Sequence, residues 1–152
     1  VIEARIGGDG VTAPYLTATH PADKVSMIDN WLAEHPDDVM YLEVKQDDPR
    51  SWRERWDDWD APREFMRVGV AGEWAAAEYV LGGTEHAAPV IHATFNLTPP
   101  PDAPHVPYGY GRFFPVDTVV PLAQVRQLML DFVLTGEWSH AALWRDHETM
   151  VA

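Results

Sequence analysis

The residues best suited to chemistry gather in one stretch of the chain. Between Gln46 and Glu64, nineteen residues hold seven carboxylates, four arginines and three tryptophans. Asp57, Asp58, Trp59 and Asp60 set carboxylates beside a large rigid ring, the combination that binding hot spots use to capture arginine and lysine. Asp47 and Asp48 precede them, and Asp102, Tyr108 and Tyr110 follow, in segments too polar or proline-rich to be core. These positions form the expected partner-binding surface. Two packing alternatives stand beside that reading. Trp52, Trp56 and Trp59 at i, i+4 and i+7 make a stripe that would seat a short helix on a sheet. Tyr108 and Tyr110, in the run YGYG, would serve either as a glycine-hinged aromatic hook for a partner or as a cover over a sheet edge.

Catalytic constellations are harder to find. The histidines at 20, 35, 86, 92, 105, 140 and 147 include no pair four apart on a helix, and cysteine is absent, so no metal or cofactor is expected. Gly7, Gly8 and Gly10 lack the following lysine and helix opening of a phosphate cradle and read as a flexible turn. Glu43, Glu73 and Glu78 on expected strands would in principle supply an acid and a base. Any acidic protein offers such pairs, and the simpler reading places them on the solvent face of strands, with Asp29 and Asp131 likewise on helices. No catalytic residue is assigned, and the chain is not expected to be an enzyme.

Charge narrows the partner. Eleven Lys and Arg against 24 Asp and Glu give a formal net charge of −13. Such a surface repels DNA, RNA and anionic lipid and attracts a basic protein, although acidic charge also simply keeps proteins soluble. The lack of cysteine suits a reducing cytoplasm. No window approaches the roughly 18 apolar residues of a membrane helix, and no targeting segment is expected.

The elements that must position these residues can be read from periodicity and punctuation. At 152 residues the chain fits a single domain, 1–152. A first strand is expected over Ile2 to Ile6. Apolar residues at helical spacing, opened by Pro21 and closed by Pro36, predict an amphipathic helix from Pro21 to His35. Val39 to Val44 should be an inner strand. Ser51 with Glu54 matches a capping box for the tryptophan helix, which Pro62 ends. Phe65 to Val70 and Trp74 to Leu81 alternate as a hairpin turning at Ala71 and Gly72, and Val90 to Leu97 is a further strand. Thr98 to Tyr110, rich in proline, reads as an exposed irregular loop. A second helix opens at Pro121, buries Leu122, Val125, Leu128, Met129, Phe132 and Val133, and is capped by Gly136; a strand from Ala141 to Arg145 follows. The expected fold class is α+β, a mostly antiparallel sheet with two main helices packed on it.

The last third of the chain, FFPVDTVVPLAQVRQLMLDFVLTGEWSHAALW, resembles the first-numbered immunity-protein family of bacterial polymorphic-toxin systems. Phe114 and Pro115, Val120 and Pro121, Phe132, Gly136 and Trp144 occupy the places of that family's pattern. The strand Tyr41 to Val44 and the hairpin around Gly69 and Gly72 are similar to it as well. One departure is that Trp138 and Ser139 stand where the family often has Arg-Pro. The resemblance implies an inhibitor that binds and blocks a cognate toxin, often one with a nucleic-acid deaminase domain, and the matching residues are scaffold. The expected partner is therefore a toxin domain with a basic active-site groove, with no direct nucleic acid and no membrane. The alternatives are a small acidic enzyme, or an acidic adaptor or nucleic-acid mimic for some other basic protein.

Overall fold

The computed structural model describes residues 2–8, 15–57, 63–82, 88–139, 142 and 144–147. In chain order the elements are β1 (Ile2–Gly8), β2 (Leu16–Ala18), α1 (Pro21–Glu34), β3 (Val39–Gln46), α2 (Trp52–Asp57), β4 (Arg63–Ala71), β5 (Trp74–Gly82) and β6 (Val90–Thr94). They are followed by β7 (Pro107–Gly109), β8 (Arg112–Phe113), β9 (Val120–Pro121), α3 (Leu122–Thr135) and β10 (Trp144–His147). One sheet runs β10-β6-β5-β4-β3-β1-β2, with β9 adding to β5, and every pairing in it is antiparallel. The α+β architecture read from the sequence is the one observed.

Alternation divides the sheet into two unlike faces. Ala4 and Ile6 of β1, Met40, Leu42 and Val44 of β3, Met66, Val68 and Val70 of β4 and Ala75, Ala77 and Tyr79 of β5 all point to one side and are buried. The helices cover that side. α1 contributes Met27, Ile28 and Trp31, and α3 contributes Val125, Leu128, Met129, Phe132 and Val133, the helical face expected from the sequence. Pro21 opens α1 and Gly136, at φ 79°, closes α3 in the left-handed conformation, its N–H bonded to the Phe132 carbonyl at 2.8 Å. Asp29 and Arg126 clip the helices together at 2.7 and 3.0 Å. The start of α3 is tied to the β4-β5 turn, where Leu122 N–H donates to the Glu73 carbonyl at 2.9 Å.

Among the described residues the opposite face carries no helix of that length. Small residues on β4, β5 and β6, namely Gly69, Ala76 and Ala93, form a seat there, and the segment after β6 folds down onto it. Val106, Phe114 and Val119 from that segment are buried against the seat as a second, smaller core. A Cβ on Gly69 would collide with the Pro107 carbonyl and press on Val106 and Phe114 at 2.9 and 3.0 Å. The close approach of the two backbones therefore depends on glycine at this position.

Several boundaries differ from the sequence reading. β1 runs on through Gly8, because Gly7 and Gly8 continue to pair with Tyr41 and Met40 of β3, and the Tyr15 ring lies over Gly7 where a side chain would otherwise stand. The hairpin turn is Gly72 and Glu73, since Ala71 pairs with Trp74. β6 stops at Thr94, whose hydroxyl accepts from the Ala77 N–H of β5 at 3.1 Å and donates to the Thr118 carbonyl at 2.7 Å. The proline-rich loop is not irregular throughout: it ends in the small β7-β8 hairpin and delivers a core residue, Val106. The last strand is described over Trp144–His147, with Trp144 pairing with Thr94, and Ala141, where the sequence reading starts it, lies outside the described residues. Among the described residues no helix is long and apolar enough to cross a membrane.

Candidate functional site

On the face away from α1 and α3, two arginines from the sheet are each held between aromatic rings. The Arg5 guanidinium lies 4.2 Å from the Tyr15 ring centre and 4.5 Å from that of Trp52, and donates to Glu43 Oε1 at 2.8 and 3.2 Å. Arg67 lies 4.3 Å from the Tyr108 ring and 5.3 Å from the Tyr41 ring, and donates to Glu78 Oε1 at 2.7 Å. Strand register makes both ion pairs. Arg5 is opposite Glu43 across β1 and β3, and Arg67 is opposite Glu78 across β4 and β5. Guanidinium planes suit such sandwiches because they are weakly hydrated and present a flat cationic face to the ring quadrupole.

Glu78 is the most buried charge of this face, with 0% exposure. Tyr108 donates its phenolic hydrogen to the same Oε1 at 2.9 Å, while Oε2 and Arg67 Nε have no hydrogen-bond partner among the described residues. Burial raises the Glu78 carboxyl above its ordinary value, opposed by the Arg67 charge and by the Tyr108 and Arg67 hydrogen bonds. The Tyr108 hydroxyl is likewise held up, first by burial and then by the neighbouring Glu78 charge. The expectation that Glu78 sits on a solvent face is therefore wrong. The second cover, made by the segment after β6, was not visible in strand alternation. Glu43 is also tied up, by Arg5. Each of these two carboxylates is thus held by an arginine from a neighbouring strand.

Around Trp52 the ring is enclosed by cations. Lys45 Nζ lies 5.1 Å and Arg55 5.4 Å from its centre, and its Nε1 donates to Glu3. Ser51 caps α2 by accepting from the Glu54 N–H at 3.1 Å, as half of the expected capping box. Trp52 thus packs its short helix onto the sheet, the structural alternative for that ring.

Of the expected partner-binding residues, the structure describes Asp47, Asp48, Asp57, Asp102, Tyr108 and Tyr110. Asp48 is half-buried and engaged with Arg50 at 2.8 to 3.2 Å and Arg55 at 3.4 Å. The Arg50 side chain, then its backbone N–H, hold the Asp48 carboxyl down at about 2. Asp47 is exposed at φ 50° just after β3. Asp57 ends α2, and Asp58, Trp59 and Asp60 lie outside the described residues. Asp102 is exposed on the segment that crosses the second face. Tyr108 turns inward to Glu78, whereas Tyr110, two residues on, is 83% exposed. Tyr108 stands over the row Tyr41, Arg67 and Glu78, whereas Asp47 and Asp48 come after the end of β3 at Gln46.

Sequence reasoning missed Arg5, Tyr41 and Arg67, and misplaced Glu78. A usable signal existed for one pair: counting outward from the turn at Gly72 sets Arg67 against Glu78. The departure at Trp138 and Ser139 also has a structural role. Trp138 stacks on Tyr79 and His92 at 5.5 and 4.5 Å, and Ser139 donates to Asp131 at 2.6 Å and accepts from Trp144 Nε1 at 2.7 Å. These residues tie the end of α3 to β5, β6 and β10.

No curated protein and no solved structure matches the chain. A family model described as Immunity protein Imm1 matches residues 13–146, from before β2 to within β10, so that α1, α2 and α3, the small-residue seat and the hairpin over it all fall inside the match. The chain belongs to the Imm1 family of immunity proteins.

Proposed function

We propose that this immunity protein acts in the cytoplasm on a toxin that attacks nucleic acid, a deaminase being the toxin class that the resemblance implies, and that it inhibits by covering the substrate groove. Family membership carries the reading, because an immunity protein has a cognate toxin as its partner. The net charge of −13 supports the choice of groove. A cleft that binds phosphates is basic, and an acidic inhibitor is steered into it and competes with the nucleic acid there. The acidic run Asp57, Asp58, Trp59 and Asp60 supplies charge for that encounter, together with the exposed Asp47 and Asp102. Asp48, already held by Arg50 and Arg55, contributes less.

The test uses the toxin domain encoded beside this chain's gene. Stoichiometric inhibitor should abolish conversion of cytosine or adenine in an oligonucleotide substrate, and excess oligonucleotide should slow complex formation. Complex formation without inhibition, or inhibition indifferent to competing oligonucleotide, would exclude groove covering. Reversing charge with Asp57→Lys and Asp58→Lys should cost on the order of 2 to 5 kcal/mol of binding if the turn meets toxin cations in a dry interface.

A further inference from the structure

The hairpin over the second face ends in a feature that its own packing does not require. Gly109, Tyr110 and Gly111 have φ of 113°, 56° and 73°, three successive residues at positive φ. Glycine adopts this region freely, and tyrosine does so only against its Cβ. Tyr110 is nevertheless the residue placed there, and it is 83% exposed with no hydrogen bond or ring contact among the described residues. Glycine at 110 would suit the backbone better, and no hydrogen bond or ring contact among the described residues would be lost with the ring.

The stem beneath this tip is rigid. Tyr108 is hydrogen-bonded to Glu78 and lies edge-on to Phe114 at 5.0 Å, and Phe114 N–H donates to the Val106 carbonyl at 2.9 Å. The segment's two ends are closed by Asn96, whose N–H donates to the Asp117 carbonyl at 2.7 Å and whose side-chain amide donates to the Val119 carbonyl at 2.9 Å. Apolar side chains along the same segment are exposed as well: Leu97 by 71%, Val116 by 56% and Phe113 by 48%. A strained aromatic on an immobilised stem, with apolar surface behind it, is an anchor prepared before its partner arrives.

We infer that Tyr110 is the anchor of the toxin interface, its ring entering an apolar-walled pocket on the toxin and its hydroxyl meeting a polar group at the pocket floor. This rests on the reading of the chain as a toxin inhibitor and adds the residue that dominates its binding. Tyrosine suits the role because a large, nearly rigid ring loses little conformational freedom on burial.

The experiment compares wild type, Tyr110→Gly and Tyr110→Phe for binding to a catalytically inactive form of the neighbouring toxin domain, with thermal melting and sedimentation of each inhibitor alone. Tyr110→Gly should melt at or above the wild-type temperature, yet bind at least about 30-fold more weakly through faster dissociation, the size of loss that defines a hot spot. Tyr110→Phe should retain most of the binding. Equal toxin binding by Tyr110→Gly and wild type would overturn the anchor while leaving the inhibitor reading intact. A folded wild-type chain that does not bind the toxin would overturn both. Wild-type dimers that Tyr110→Gly dissociates would assign the ring to a second copy of this chain and overturn the proposal.

Discussion

The phenolic oxygen of Tyr108 stands 2.9 Å from Glu78 Oε1, and through this bond the hairpin is fastened to a carboxylate that solvent does not reach. The same oxygen receives Arg67 at 2.7 Å, so one acceptor atom joins β4, β5 and β7. A donor lost from such a site leaves a charge less satisfied in a poorly polarisable setting, which is costlier than the loss of an exposed contact.

Tyr108→Phe should therefore lower unfolding free energy by about 1.5 to 3 kcal/mol, the range for hydrogen bonds to charged groups. Glu78→Ala, which strands the Arg67 guanidinium, should cost about 3 to 5 kcal/mol. By contrast Arg126→Ala breaks an ion pair whose side chains are 39% and 44% exposed, and should cost no more than about 1 kcal/mol. Urea unfolding of the three variants checks the order, and equal effects at Glu78 and Arg126 would contradict it.

Acidity should act on Glu78 and Asp48 in opposite senses. Because burial raises the folded Glu78 carboxyl above 4.5, the folded state binds its proton more tightly than the unfolded state does. Its stabilising contribution is fully present below 4.5 and is lost as pH rises through the folded value. Asp48, lowered to about 2, contributes above 3.8 and loses that contribution as pH falls toward about 2. The stability of wild type relative to Glu78→Gln should accordingly improve as pH falls through the folded Glu78 value toward the unfolded value of 4.5. Denaturant midpoints across that range measure it, and a constant difference would refute the assignment.

Gly69→Ala should lift the segment after β6 from the sheet, since the added Cβ meets the Pro107 backbone carbonyl rather than a flexible side chain. Overpacking of this kind costs about 1 to 3 kcal/mol. The loss should come with altered tyrosine signals at 41 and 108, read by NMR, while the α1 and α3 core keeps its spectrum. Perturbation spread evenly over both cores would count against this division.

At the other end of α3, Gly136→Ala forces a side chain to φ 79° beside Gln46 Oε1, which a Cβ would meet at 3.0 Å. The flexible Gln46 can move, so the cost is chiefly conformational, about 1 kcal/mol. A change in melting temperature no larger than that of an exposed helix substitution would show that Gly136 is not needed as a cap.

The two main helices and the β3, β4 and β5 strands were legible because each carries its own instructions: Pro21 and Gly136 punctuate, and Met40, Leu42, Val44 or Val125, Leu128, Phe132 keep a single period. The segment from Phe95 to Val119 was not, since its order comes from a seat of Gly69, Ala76 and Ala93 supplied by distant strands. That hidden cover also explains why Glu78 was taken for a surface residue. For the candidate site, YGYG in the sequence was enough to single out Tyr108 and Tyr110. Only coordinates separate the inward ring from the outward one. The sandwiches around Arg5 and Arg67 join residues from three or four elements, which no local pattern encodes.

Closure of the segment from Phe95 to Val119 on itself bears on how such an inhibitor diverges. Asn96 bonds to the backbone of Asp117 and Val119, and Arg145 pairs with Asp117, so both ends are fixed whatever lies between them. Lengthening a closed loop changes its entropy only logarithmically. Residues at the hairpin crest can thus be exchanged, inserted or deleted with little effect on the helices and sheet beneath. On the proposal that Tyr110 anchors the toxin, an altered toxin pocket can be answered by rewriting a few codons at the crest, with the inherited scaffold left unchanged.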